Sequence, residues 1–204
     1  MSLKIELLKI LQEKNRGLLA TENDRVKILT AVEKLEDQNP NPNPFDDLSL
    51  VNGDWRLLYT SSRSILSLDN IPLLQLGEIY QCIRTDTSKI YNLAQINSLP
   101  FLEGLVSVTA NVEIVSAKRV KVKFERSIIG LQKLLGYISP DDFIDKIEVG
   151  KYFLPLDFNL SFFSNNNQQG WLEITYLDEN LRISRGNEGN IFILERFVSA
   201  NKKR

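Results

Sequence analysis

Histidine is absent from this chain of 204 residues, and cysteine occurs once, at Cys82. Imidazole is the usual proton shuttle near neutral pH and the commonest nitrogen ligand for zinc, iron and copper. Without it, Ser–His–Asp and Cys–His mechanisms cannot be assembled, although chemistry by carboxylates, Lys or Tyr stays open. A single cysteine forbids an intrachain disulfide and fits a reducing compartment. Charge of one sign is also missing: 25 basic residues face 26 acidic ones, a net charge of −1. No broad positive field exists, so nucleic acid is not an expected partner. No apolar run approaches the length of a membrane-spanning helix. The opening Met1-Ser2-Leu3-Lys4-Ile5-Glu6 has neither the apolar core of a secretory signal nor the Arg- and Ser-rich, acid-poor character of a transit peptide. The expectation is an intracellular, cytoplasmic protein with no signal or transit peptide. Nothing in the composition calls for a metal or a cofactor.

What is present falls into two parts. Leu3, Leu7, Ile10 and Leu11 share one face of a first helix, with Asn15-Arg16-Gly17 as its stop. Thr21-Glu22-Asn23-Asp24 has the form of a capping box. The helix after it carries Val26, Leu29, Val32 and Leu35 toward one side. Pro40, Pro42 and Pro44 alternate with asparagines and forbid helix, which makes an extended connector. The expected division is therefore 1–44, helices and connector, and 45–204, a β domain.

From Asp54 the period becomes two. Trp55, Leu57 and Tyr59 share one side of a first strand. Leu76 to Arg84 and Lys89 to Gln95 read as a hairpin. Val106, Val108, Ala110, Val112 and Ile114 face one way in the next strand. Val120, Val122 and Phe124 do so in the one after, with Arg126 in phase with them. One dry side and one wet side mark an antiparallel sheet. Residues 128 to 145 read as a loop with one short helix, and 146 to 163 as room for a further strand. Ser139-Pro140-Asp141-Asp142 suits a helix start better than a metal or acid site. Asn165 to Gln169 is a polar turn. Gly170 to Arg196 then reads as three strands joined by tight turns. The total is about eight or nine strands, enough for a small barrel around side chains or one ligand.

Asn52-Gly53-Asp54-Trp55-Arg56-Leu57-Leu58-Tyr59-Thr60-Ser61-Ser62 resembles the opening motif of the fibrillins, or plastid lipid-associated proteins. Leu172-Glu173-Ile174-Thr175-Tyr176-Leu177-Asp178, Leu181-Arg182-Ile183-Ser184-Arg185-Gly186-Asn187 and Gly189-Asn190-Ile191-Phe192 resemble its closing motif. That resemblance implies a mostly β, lipocalin-like antiparallel barrel with an N-terminal helical segment. It also implies binding of lipophilic molecules at plastoglobules or thylakoids, with a link to photoprotection and no catalytic residues. Lacking a transit-like segment, the chain looks cyanobacterial on this reading, at the cytoplasmic face of the thylakoid or in the cytoplasm. Gly53 and Trp55 also match the Gly-x-Trp start of lipocalins, whose Trp closes one barrel end beneath an Arg from a late strand. Arg196, Arg182 or Arg185 would serve that purpose here.

The candidate ligand contacts are Tyr59, Tyr80, Phe124, Arg126, Tyr176 and Arg185. Each has a plainer reading. Tyr59, with Trp55, suits a structural plug. Arg126 suits a salt bridge at the rim, since an unpaired buried charge is very costly. Arg182 and Arg185 lie on opposite sides of one strand, so at most one points inward. Cys82 alternates with Tyr80, which places both toward the interior, with Cys82 as a small buried apolar residue. Lys118, Arg119, Lys121 and Lys123 form either a solvated face or a site of peripheral contact with a thylakoid membrane. Ile128 to Tyr137 is greasy enough for a lid, a membrane-touching surface or a segment packed outside the barrel. The expected partner is a lipophilic small molecule such as a carotenoid, a quinone or an acyl lipid. The alternative is a protein that coats membranes or lipid droplets and holds no ligand inside.

Overall fold

The computed structural model describes residues 2–62, 75–98, 102–150, 156–159 and 170–198. Helix α1 (Leu3–Leu11) buries Leu7 and Leu11. Helix α2 (Glu22–Glu36) begins at the expected capping box: the Thr21 hydroxyl accepts from the Asp24 N–H, and the Asp24 carboxylate accepts from the Thr21 N–H. Its buried face is Ile28, Ala31, Val32 and Leu35, while Val26 and Leu29 are 57% and 39% exposed. Steps of three residues each fall about 60° short of a full circle. Val26 and Leu35 therefore stand on opposite sides, and the 28–31–32–35 spacing wins.

The proline-rich stretch leads from α2 to a short helix α3 (Leu48–Val51). It is tied to the barrel by its asparagines. Asn39 donates to the Thr175 carbonyl and accepts from the Leu177 N–H, and Asn41 donates to the Leu177 carbonyl. These backbone groups lie past the end of the neighbouring strand, so the side chains replace a missing ladder.

Among the described residues nine strands follow: β1 (Gly53–Thr60), β2 (Gln75–Arg84), β3 (Lys89–Asn97), β4 (Gly104–Ile114), β5 (Arg119–Leu131), β6 (Leu156–Asn159), β7 (Gly170–Leu177), β8 (Leu181–Gly186) and β9 (Ile191–Phe197). Their order is β1-β2-β3-β4-β5-β7-β8-β9, with β9 paired back to β1, all antiparallel. This is a closed eight-stranded barrel. β5 pairs with β7 over Arg119–Val122 and with β6 over Arg126–Ile129, so β6 is an addition to the closed sheet. The mostly β, lipocalin-like barrel with an N-terminal helical segment is what the sequence led us to expect.

The stretch expected to be a loop differs. β5 continues to Leu131, and two helices follow, α4 (Gln132–Leu135) and α5 (Pro140–Glu148). Ser139 caps α5, with Pro140 in its first turn and Asp141 and Asp142 near its positive end. Asp141 meets Arg84 at 3.0 Å and Asp142 meets Lys146 at 2.6 Å. These acids thus form ion pairs, and no cluster able to hold a metal occurs among the described residues. The strand between 146 and 163 reduces to β6 within the described residues. The polar turn expected at 165–169 lies outside them.

Three apolar clusters hold the fold. Trp55, Leu57, Ile79, Ile83, Ile90 and Leu194 belong to the one inside the barrel. A second joins α1 and α2 to the outer face of β1, β7, β8 and β9 through Tyr59, Tyr176, Ile183 and Ile193. A third joins α4 and α5 to the outer face of β2–β5 through Tyr80, Cys82, Tyr91 and Phe143. Each fully buried Leu, Ile or Phe contributes about 1.5–3 kcal/mol. Several strands are therefore apolar on both faces, and Cys82 faces outward beneath α5.

Four register shifts interrupt the pairings, in β1 between Leu57 and Tyr59, in β2 between Leu76 and Ile79, in the β4–β5 ladder between Thr109 and Ala110, and in β7 between Ile174 and Tyr176. Each adds one unpaired residue, so the side chains beyond it exchange faces.

Candidate functional site: the barrel interior

The barrel is hollow. A cavity of about 630 Å³ is walled mainly by apolar side chains, among them Ile79, Val106, Val108, Val122, Phe124 and Phe192, with Trp171 and Asn187 near the ends of β7 and β8. A second cavity of about 350 Å³ lies nearer α3 and is walled by Phe45, Val51, Ile83, Val112, Val120 and Ile174, with Arg182 among them. Ile90 and Leu172 line both. Volumes in this range suit small organic ligands.

A polar rung crosses the interior where the two cavities adjoin. Arg182, on β8, donates from Nη2 to Gln81 Oε1 on β2 at 2.5 Å. Gln81 in turn donates to Asn92 on β3 at 3.0 Å. Arg182 lines the smaller cavity; Gln81 and Asn92 line the larger. Arg182 is fully buried, and its Nε and Nη1 have no hydrogen-bond partner among the described residues. Ser184, the next residue on the same face of β8, is also fully buried with an unpartnered hydroxyl. Burial, then the neighbouring Arg196, pushes the Arg182 pKa down to about 9. No ion pair to Arg182 occurs among the described residues.

The α3 end of the barrel is plugged. Trp55 is fully buried, donates from Nε1 to the Val51 carbonyl at 3.0 Å, and lies 4.3 Å from the Arg196 guanidinium and 4.9 Å from that of Arg182. Arg196 is fully engaged: it donates to the carbonyls of Glu179, Asn52 and Leu50 at 2.6, 2.9 and 2.5 Å. Gly53 has φ +126°, and a Cβ there would stand 2.8 Å from Arg196 Nη1. The Gly-x-Trp motif thus follows from geometry: the glycine admits the arginine that covers the tryptophan.

Of the six candidate contacts, the structure brings Phe124 to the large cavity and places the other five elsewhere. Tyr59 and Tyr176 pack against the helices on the outer face, because the extra residues Leu58 and Thr175 invert the phase beyond Leu57 and Ile174. Tyr176 donates to Asp178 at 2.8 Å. Arg126 is turned outward by the shift that leaves Glu125 unpaired, and it makes a two-pronged ion pair with Asp157 on β6 at 2.9 and 2.6 Å. Tyr80 lies on the outer face with Phe197, ring centroids 4.9 Å apart, because its neighbour Gln81 takes the inward position opposite Trp55. Arg185 points outward and clasps Glu36 of α2 at 2.9 and 2.7 Å. Arg182 is the inward arginine of the pair. Sequence reasoning missed Gln81, Asn92 and Ser184. The available signal was their inward phase when counted from Trp55 across the paired strands.

The other surface candidates resolve as well. Lys118 and Arg119 pair with Glu173 at 2.9 and 2.6 Å, and Arg119 lies 4.4 Å from the Trp171 ring; Lys121 and Lys123 are exposed. The segment from Ile128 to Tyr137 packs on the barrel exterior through Ile128 and Leu135, with Leu134 and Ile138 left 70% and 69% exposed. It is not a lid.

Comparison with known proteins agrees with this architecture. The PAP_fibrillin family model matches residues 1–195. A light-induced chloroplastic protein of Solanum tuberosum is 35% identical over 94% of this chain and 66% of its own length. Plastid lipid-associated protein 1 of Brassica campestris is 36% identical over 89% and 63%. A chromoplast-specific carotenoid-associated protein of Cucumis sativus is 32% identical over 88% and 63%. The chain therefore spans about two thirds of the length of these relatives. No solved structure matches it. The relatives are chloroplastic and chromoplastic proteins of plants, which overturns the expected cytoplasmic placement. The absence of a transit-like segment at Met1 does not bear on targeting when the chain covers only part of its relatives. The expected cyanobacterial origin gains no support from them.

Proposed function

The chain belongs to the PAP_fibrillin family, and on that premise we propose that its barrel binds and stores lipophilic small molecules. The observation that carries this reading is the apolar hollow of about 630 Å³. Burial of a ligand against Val106, Val108, Val122 and Phe192 uses the same driving force that folds the protein. At about 25 cal/mol per Å², some 300 Å² of apolar ligand surface supplies roughly 7 kcal/mol before the costs of binding. No covalent step, metal or cofactor is required, and the chain acts as a binder rather than an enzyme. The names of the relatives, plastid lipid-associated and carotenoid-associated, support a carotenoid, quinone or acyl lipid as cargo. We further propose that it works in association with thylakoid membranes or lipid globules in a photoprotective setting.

The test uses Trp171, which lines the cavity. Titration of lipid-free protein with a carotenoid or a quinone is expected to quench tryptophan fluorescence saturably at stoichiometric ligand. Linear, unsaturable quenching, together with no lipophile in an organic extract of the purified protein, refutes the reading. A second reading, a coat on membranes or droplets, is favoured by the exposed Leu134 and Ile138 beside the barrel. It predicts flotation with liposomes that survives when the cavity is filled by mutation.

A further inference from the structure

The interior contains one feature that a container for neutral lipophiles does not need. Arg182 is a large, fully buried cation at the wall of the smaller cavity, and its Nε and Nη1 have no acceptor among the described residues. An unpaired guanidinium in an apolar hollow costs far more than the hydrocarbon side chain that could replace it. Its neighbour makes the contrast. Arg196 is committed to three backbone carbonyls, and Arg185 and Arg126 each clasp a carboxylate. Arg182 alone of these four is buried without a counter-charge. Trp55 and Gln81 hold it in place, so it is pre-set rather than adaptable.

We propose that Arg182 is the head-group anchor of the barrel and that the ligand class it selects is an apolar chain ending in a carboxylate. The proposal rests on the reading that the hollow takes a lipophile, and it names the kind. A carboxylate is planar and accepts two N–H bonds from a guanidinium fork. It carries a single negative charge, which one unpaired cation balances. A phosphate monoester carries nearly two charges at neutral pH and would leave one uncompensated among Ile83, Val112 and Ile174. Ser184, two residues along the same face of β8, is likewise buried with a hydroxyl that has no partner among the described residues. The chain then lies along Ile90 and Leu172, which line both cavities. Burial lowers the Arg182 pKa to about 9, in keeping with a cation that lacks an anion.

The test compares cis-parinaric acid with its methyl ester and with the matching alcohol. Each is titrated into the full, delipidated chain in neutral buffer below micellar concentration, with probe fluorescence as the readout. The acid is expected to bind at least about tenfold more tightly than the ester or the alcohol. Arg182→Met is expected to abolish that preference, so that the acid binds no more tightly than the ester or the alcohol. Equal affinity of acid and ester for the unmodified protein overturns the anchor and leaves the lipophile reading standing. Binding of none of the three overturns both. If Arg182→Met does not fold, Arg182→Lys serves: with a point charge in place of the planar fork, it is expected to reduce the preference without removing it. An undiminished preference in either folded variant also overturns the anchor.

Discussion

A buried cation without a partner makes a prediction opposite to the usual rule for buried side chains. Deleting a large core residue normally costs 2–5 kcal/mol, and breaking a buried ion pair costs 3–5 kcal/mol. Arg182 is fully buried, yet replacing it with Met removes a liability. Burial is the chief cause that pushes its pKa far down, to about 9, which corresponds to roughly 5 kcal/mol against the charged form. Against this stand the contact with Trp55, worth about 0.5–2 kcal/mol, and the hydrogen bond to Gln81, about 1.5–3 kcal/mol for a charged donor. Met fills a similar length with an unbranched apolar chain. The balance for ligand-free Arg182→Met lies between about 0 and 3 kcal/mol of added stability.

Urea unfolding of delipidated protein, followed by far-ultraviolet circular dichroism, measures it. In a protein of this size about 1 kcal/mol moves Tm by 2–4 °C, so a thermal scan should show no fall. The sign with pH follows from linkage. The unfolded chain holds the Arg182 proton to a higher pH than the folded one, so this group destabilises fully below about pH 9 and progressively less as pH rises above it. The advantage of Arg182→Met over the parent should therefore be constant through neutral pH and shrink above about 9. A loss of more than about 2 kcal/mol in the variant would refute the reasoning and mean that Arg182 is a satisfied structural residue.

Three further outcomes follow from neighbouring observations. Arg185→Gln removes the clasp on Glu36, whose partners are 30% and 16% exposed; it should cost about 1 kcal/mol in urea unfolding and leave lipophile affinity within about twofold, whereas a lost affinity would return Arg185 to the ligand site. Gly17→Ala should destabilise by at least about 1–2 kcal/mol, because Gly17 has φ +110° and a Cβ would stand 2.5 Å from the Thr60 carbonyl; an unchanged urea midpoint would contradict that geometry. Val108→Trp fills the larger cavity from β4 and should weaken quenching of Trp171 by neutral lipophiles about tenfold or more, with circular dichroism unchanged; full-strength saturable quenching would place the ligand elsewhere.

The barrel itself was legible where alternation is clean. Val106 to Ile114 and Val120 to Phe124 have one apolar and one polar side, and they form the hairpin of β4 and β5 with the inward set as expected. The N-terminal cap at Thr21 was legible because it is a local hydrogen-bond pattern with its own chemistry. Phase was much harder. β2 reads Ile79-Tyr80-Gln81-Cys82-Ile83, apolar on nearly every residue, since α5 covers its outer face. Alternation carries no information where both sides are dry, and Tyr80 was assigned to the wrong one.

Three of the other misplaced contacts share a cause that no period-two count can detect. Tyr59, Arg126 and Tyr176 each lie just past an unpaired residue: Leu58, Glu125 and Thr175. A bulge is a relation between two strands, visible only when the partner is shorter by one over the same stretch. Two of the three bulges bring a tyrosine onto the helical layer, where Tyr59 and Tyr176 meet α1 and α2. The third gives Arg126 its carboxylate on β6. Without the shifts these large or charged side chains would point inward and fill or charge the hollow. The bulges thus keep the interior open, and β8, which has no shift against β9, keeps its phase and carries Arg182 inward. That the arginine fully buried inside also keeps two guanidinium nitrogens without an acceptor among the described residues is the strongest reason to seek its partner in a ligand rather than in the chain.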